Sequence, residues 1–213
     1  MNRKLLLVFH CFIICSVLSF ASLQFYKSMY RNAGTKALSN LKDDTTPNYN
    51  TISISLLAHT LASVSPASAY DYSLSAKLYQ WSAYLSGSKD TDQLTTLLQK
   101  SLRLRPTWSP SYVELSSIYK ERGELKLQSQ MLSFARHFGP LTHSTILADI
   151  DYAYSNWELI DESAKLHAIH NLLEIGKVWR YRPALNTTVA YSSGKQRICN
   201  LLAFNKVRIQ ACG

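Results

Sequence analysis

His167 and His170 stand three residues apart, with Glu174 one helical turn further on, so on a helix the three side chains would share one face. Such a face could ligate a metal ion. Catalytic zinc sites built on two histidines space them by four, however, with a glutamate between, whereas here the intervening residues are Ala168 and Ile169, so no metal is expected. Ser193, Gly194 and Lys195 in "YSSGKQR" place a hydroxyl and an amine beside a glycine, yet the first glycine and the spacing of a phosphate-binding loop are missing. Asp149 and Asp151 fall on different faces of a helix, which makes them a poor acid–base pair there. The sequence contains no G-x-S-x-G element, no glycine-rich dinucleotide loop and no Cys/His nucleophile arrangement. The expectation is a protein that is not an enzyme, with no catalytic residue and no cofactor.

Binding chemistry is better represented. The formal charge of +9 is concentrated at one end. Residues 1–174 carry 16 basic and 14 acidic side chains, while residues 175–213 carry Lys177, Arg180, Arg182, Lys195, Arg197, Lys206 and Arg208 and no acid. Within that stretch "KVWRYRP" interleaves Trp179 and Tyr181 with Arg180 and Arg182, and aromatic faces beside guanidinium groups suit anionic glycan, lipid-linked sugar or phospholipid headgroups. The competing reading is a packing edge with snorkelling arginines. Two cysteines, Cys199 and Cys212, lie in the same stretch, and in an oxidising compartment a bridge between them would close a short loop; two buried thiols are the alternative. Asn186 opens an "NTT" glycosylation sequon, which matters only in a eukaryotic secretory pathway.

Arg3 and Lys4 precede "LLLVFHCFIICSVLSFASLQFY", an apolar run long enough to cross a bilayer and the site of the remaining cysteines, Cys11 and Cys15. Ser19, Phe20 and Ala21 also form a small-x-small site at which a secretory signal could be cut. Hydrophobicity continues past Ala21 through Leu23, Phe25 and Tyr26, and "KSMYRNAGTKALSNL" reads as helix, so an uncleaved anchor is the favoured reading. The early basic pair keeps the N-terminus cytoplasmic and puts the rest of the chain outside, in a bacterial cell the periplasm, where nucleic acid is excluded as a partner. The expected divisions are 1–26 transmembrane anchor or signal peptide, 27–51 juxtamembrane helix and linker ending in "KDDTTPNYN", 52–183 helical domain, and 184–213 basic tail.

The helical domain carries an internal period. Pro106 and Pro140 are 34 residues apart, and Leu78 pairs with Tyr112, Trp81 with Leu115, Ser82 with Ser116, Leu85 with Tyr119, Leu98 with Leu132 and Ser101 with Ala135 at that offset. Apolar residues three and four apart mark amphipathic helices, and small residues mark close helix approach. A 34-residue helix–turn–helix period resembles the tetratricopeptide repeat (TPR), over residues 75–142. Leu94 and Gln128 stand where that family places a small residue. The resemblance implies a concave partner-binding surface around Tyr112, Tyr119, Lys120 and Arg122. Two units need neighbours to bury their apolar faces, so "ISISLLAHTLASVS", ended by Pro66, and two helices after Thr142 should complete the stack. The second of those helices is expected from an N-cap at Asp161 to a stop at Gly176.

The fold class is thus all-α, an N-terminal transmembrane helix followed by a TPR-like stack of helical hairpins. Anchor, linker, degenerate hairpins and two-cysteine tail together, with "LYQWSAYLSG" and "SLRLRPTWSPSYVELSSIY", resemble the VpsP-type membrane-anchored accessory proteins of bacterial exopolysaccharide systems. That resemblance implies a non-enzymatic role in polysaccharide polymerisation, export or chain-length control, with membrane proteins of the same assembly as partners.

Overall fold

The computed structural model describes residues 3–42, 51–88 and 91–213. From residue 43 on, the expected linker lies outside the described residues. Every regular element among the described residues is helical: α1 Arg3–Lys42, α2 Thr51–Ser63, α3 Ala69–Ser86, α4 Asp92–Leu104, α5 Ser109–Glu121, α6 Leu125–Phe138, α7 His143–Ser155, α8 Glu162–Lys177, α9 Arg182–Tyr191 and α10 Lys195–Phe204, with short 3₁₀ turns at Trp179–Tyr181 and Gln210–Cys212. The fold is all-α, with an N-terminal helix long and apolar enough to span a membrane followed by TPR-like helical hairpins. Contacts divide the chain into two units, Met1–Pro106 and Thr107–Gly213.

In the first unit α2, α3 and α4 pack in sequence as hairpins and the C-terminal half of α1 closes over α2 and α3. The core comprises Ala37, Ile54, Ala58, Leu61, Leu74 and Leu78. Helix α3 starts six residues before the expected block boundary at Ser75, because Ser68 and Asp71 form a reciprocal capping box that satisfies backbone donors at its first turn. Its end is set by Gly87, whose φ of 69° supplies the left-handed cap.

In the second unit α5 and α6 form the better-matching hairpin, turned at Gly123 with φ 73°, and α7 packs on both. Equivalent positions of the two blocks share burial: Leu98 and Leu132 are both core, as are Ser101 and Ala135. Leu94 and Gln128 are buried as well, so the larger side chains are accommodated, although Gln128 Oε1 has no hydrogen-bond partner among the described residues. Helices α7 to α10 surround a second core of Ile150, Tyr154, Leu172, Leu185, Val189, Ile198 and Leu202.

Two expectations are corrected by this unit. Gly176 does not stop α8, which runs to Lys177; a Cβ there would meet Val207 Cγ1 at 3.3 Å, so the glycine admits a close neighbour. The segment 184–213 is no appended tail either, since Leu185, Val189, Ile198, Leu202 and Ile209 supply much of the core. Cys199 and Cys212 are disulfide-bonded across a sequence separation of 13. Closing a loop of that size is worth about 3 kcal/mol in loop-closure entropy.

Candidate functional site

Helix α1 divides by environment along one continuous rod. Val8, Phe12, Val17 and Phe20 are exposed on the part of the helix that is long and apolar enough to cross a membrane, whereas Lys27, Gly34 and Ala37 are buried in the first unit. Positions 27, 30, 31, 34, 37 and 38 recur at the three-and-four spacing of a single buried face. At Gly34 a Cβ would sit 3.2 to 3.3 Å from Leu74, Leu61 and Leu78, so α1 lies close on the hairpin there.

The junction is fixed by charge. Arg31 donates from Nε to Asp71 Oδ1 at 2.6 Å and from Nη2 to Oδ2 at 2.8 Å, and Nη2 also reaches Ser68 Oγ at 3.3 Å. Lys27 Nζ donates to the Pro66 carbonyl at 2.6 Å. Burial alone would raise the Asp71 carboxyl, but the bonds from Arg31 and Ser68 together outweigh it and hold the group below its usual range. Two basic residues that follow an apolar run are ordinarily assigned to headgroups; here they clamp α1 to the start of α3. The sequence signal for this was the Ser68-x-x-Asp71 capping pattern, with Lys27 and Arg31 four apart.

Of the four residues expected to form a partner surface, Tyr112 and Lys120 have partners within the second unit. Tyr112 packs on Phe134 and Phe138 at centroid distances of 5.3 and 5.7 Å, inside its own hairpin. Lys120 pairs with Asp151 on α7, while Tyr119 is half-buried and Arg122 exposed. The Asp149 and Asp151 carboxylates, on different faces of α7 as expected, tie that helix to both members of the hairpin: Asp151 to Lys120 on α5 and Asp149 to Arg136 on α6 at 3.3 Å.

Asp149 is buried, and desolvation raises its carboxyl to about 6 against a smaller opposing pull from Arg136. A raised carboxyl binds its proton more tightly in the folded state, so this group's contribution falls as pH rises from about 4 to 6. Asp149→Asn is expected to flatten that dependence and to stabilise the second unit by about 2 kcal/mol at pH 8. Urea unfolding of both proteins at pH 4.5 and 8 checks it; an equal difference at the two pH values would contradict the assignment.

Among the candidate ligands, His167 Nε2 lies 3.0 Å from Asn171 Nδ2, and Glu174 pairs with Lys177 at 2.7 Å. Among the described residues no three His, Cys, Asp or Glu side chains gather as a metal set. Gly194 is buried because the backbone of Tyr154 lies against it. Asn186 of the sequon sits in α9 and accepts from the Ala211 backbone N–H at 3.1 Å, so its side chain already serves the fold.

The basic aromatic segment is the most solvent-facing of the candidates. Trp179 is 79% exposed on the 3₁₀ turn between α8 and α9, with Arg182 exposed beside it. Arg180 lies over the Tyr181 ring at 5.1 Å and donates to its hydroxyl at 2.9 Å; Tyr181 itself stacks on His143 at 5.7 Å. Tyr181 therefore braces the turn, and Trp179 and the arginines project from it.

No protein-family model, curated protein or solved structure matches the chain.

Proposed function

We propose that the chain is a non-enzymatic, membrane-tethered interaction scaffold, an accessory factor in extracellular polysaccharide biosynthesis or export. The observation that carries the tethering is α1, whose exposed apolar half continues without a break into a half packed in the core of the first unit. Cleavage after Ala21 would sever that rod, which favours an uncleaved single-pass anchor in the inner membrane. Arg3 and Lys4 ahead of the span favour a cytoplasmic N-terminus, and the Cys199–Cys212 disulfide favours an oxidising periplasm for the C-terminal units. The scaffold role rests on the helical hairpins, a surface type that works by contact with other proteins, and the polysaccharide context rests on the VpsP-type resemblance.

The test is crosslinking in intact cells followed by recovery of the full chain from detergent-solubilised membranes. Polysaccharide-assembly membrane proteins are expected among the recovered partners, and the N-terminal residue of the recovered chain is expected to precede Ala21. Recovery of the chain with no partner would sink the scaffold reading; a mature N-terminus just after Ala21 would sink the anchor.

A further inference from the structure

Three stretches of the second unit that are far apart in sequence meet at one end of it. Val207 packs on Gly176, which sets Lys206 and Arg208 beside the C-terminal end of α8, directly before Lys177, Val178 and Trp179. The Ala211 bond to Asn186 and the Cys199–Cys212 disulfide hold the last residues against α9 and α10, close to where Arg182 begins α9. Phe204, at the end of α10, is 85% exposed and Trp179 is 79% exposed. Glu174, the carboxylate on this end of α8, is matched by Lys177 at 2.7 Å, whereas Arg180, Arg182, Lys206 and Arg208 make no ion pair among the described residues.

Backbone geometry adds an independent observation. Helix α10 ends with Val207 N–H bonded to Leu202 O at 2.9 Å and Lys206 N–H bonded to Ala203 O at 3.0 Å, a closure that puts position 206 in the left-handed region. Glycine is the default there, and the residue is Lys206 with φ 59°, so substitution by glycine removes the charge and relieves the backbone.

We propose that this end of the second unit docks on the anionic phospholipid surface of the membrane in which α1 is anchored. The inference rests on the tethered reading given above. Protruding tryptophan and phenylalanine among lysines and arginines are the composition of an interfacial contact, in which rings enter the headgroup layer and cations meet phosphate. A sugar site would instead be concave, with its aromatics recessed. The tether keeps the patch at high effective concentration near the bilayer, so modest contacts suffice.

The full chain reconstituted into unilamellar vesicles tests the proposal, using phosphatidylcholine alone or mixed with phosphatidylglycerol. Acrylamide quenching of Trp179, read as the difference between the native protein and Trp179→Phe, reports whether the ring is covered. Quenching is expected to fall at least about twofold in phosphatidylglycerol vesicles and to recover at high salt. Lys206→Gly relieves the backbone, so it keeps the fold, yet it should lower the docked-to-free ratio about fivefold. Equal quenching in both vesicle types overturns the proposal. So does protection by acidic polysaccharide added to phosphatidylcholine vesicles when phosphatidylglycerol gives none, which would make the patch a glycan site. Flotation of the chain with the vesicles after a high-salt wash reports α1 insertion separately: a chain that floats with Trp179 uncovered loses only the docking, and one that does not float loses the tether as well.

Discussion

Arg31→Met is expected to destabilise the first unit by about 2–3 kcal/mol, less than the loss of one partner of a fully buried ion pair because the Arg31 side chain is 33% exposed. The Asp71 side chain keeps 4% of its exposure, so it cannot turn to water when its partner goes. It retains the Ser68 backbone N–H and hydroxyl, both at 2.8 Å, which do not neutralise its charge. Arg31→Lys is expected to recover only part of the loss, because an ammonium cannot supply the two parallel donors that now meet Oδ1 and Oδ2.

The pH dependence separates this account from a simple loss of packing. In the native protein the Asp71 carboxyl is held low, so its stabilisation is present above the unfolded-state pKa and is lost as pH falls through the lower folded value. In Arg31→Met burial is no longer offset by the guanidinium, and the carboxyl should rise. The deficit should therefore be larger at pH 7 than at pH 4. Hydrogen exchange of α2 and α3 amides in the full-length protein measures it unit by unit. Unchanged protection would show that the clamp contributes little, and an equal fall at both pH values would show a loss of packing rather than of charge pairing.

Gly194→Ala is the second large effect, expected to cost the other unit at least about 3 kcal/mol and to loosen α10 from α7. A Cβ at that position would lie 2.5 Å from the Tyr154 carbonyl carbon, 2.6 Å from its oxygen and 2.6 Å from its Cβ. Two of those atoms are backbone, so no rotamer change relieves the overlap and the helices must move apart. Gly123→Ala is the control in the same unit: φ is 73° but nothing lies within 4 Å of the added atom, so only the left-handed penalty of about 1 kcal/mol applies. Thermal unfolding of both variants should rank them in that order. A Gly194 variant as stable as the Gly123 variant would mean that α7 and α10 are not packed as described.

Fold class was legible in the sequence because it depends on local, repeated features. The three-and-four spacing of apolar residues, Pro106 and Pro140 at a 34-residue interval, and the N-cap at Asp161 each act over a few turns of one chain segment. The candidate site was less legible. Tyr112 and Lys120 look available on a helix face, but Phe134, Phe138 and Asp151 claim them from helices that sequence spacing does not place. Gly194 carries no readable signal in "YSSGKQR", which lacks the spacing of a phosphate loop, because its role is to admit the backbone of Tyr154 from 40 residues away.

By itself, then, the sequence determined an all-helical chain, an apolar segment of membrane-spanning length, a 34-residue period and the segregation of charge after Glu174. Each follows from hydrophobic patterning or composition, which survive in any fold the chain adopts. Tertiary structure alone decided that Lys27 and Arg31 clamp α1 to the segment that begins α3, and that residues 184–213 build a core. It also set Trp179 at the same end of the second unit as Lys206. The physical reason is common to all three: ion pairing, burial and left-handed backbone depend on partners brought together across long stretches of chain, and no local period encodes them.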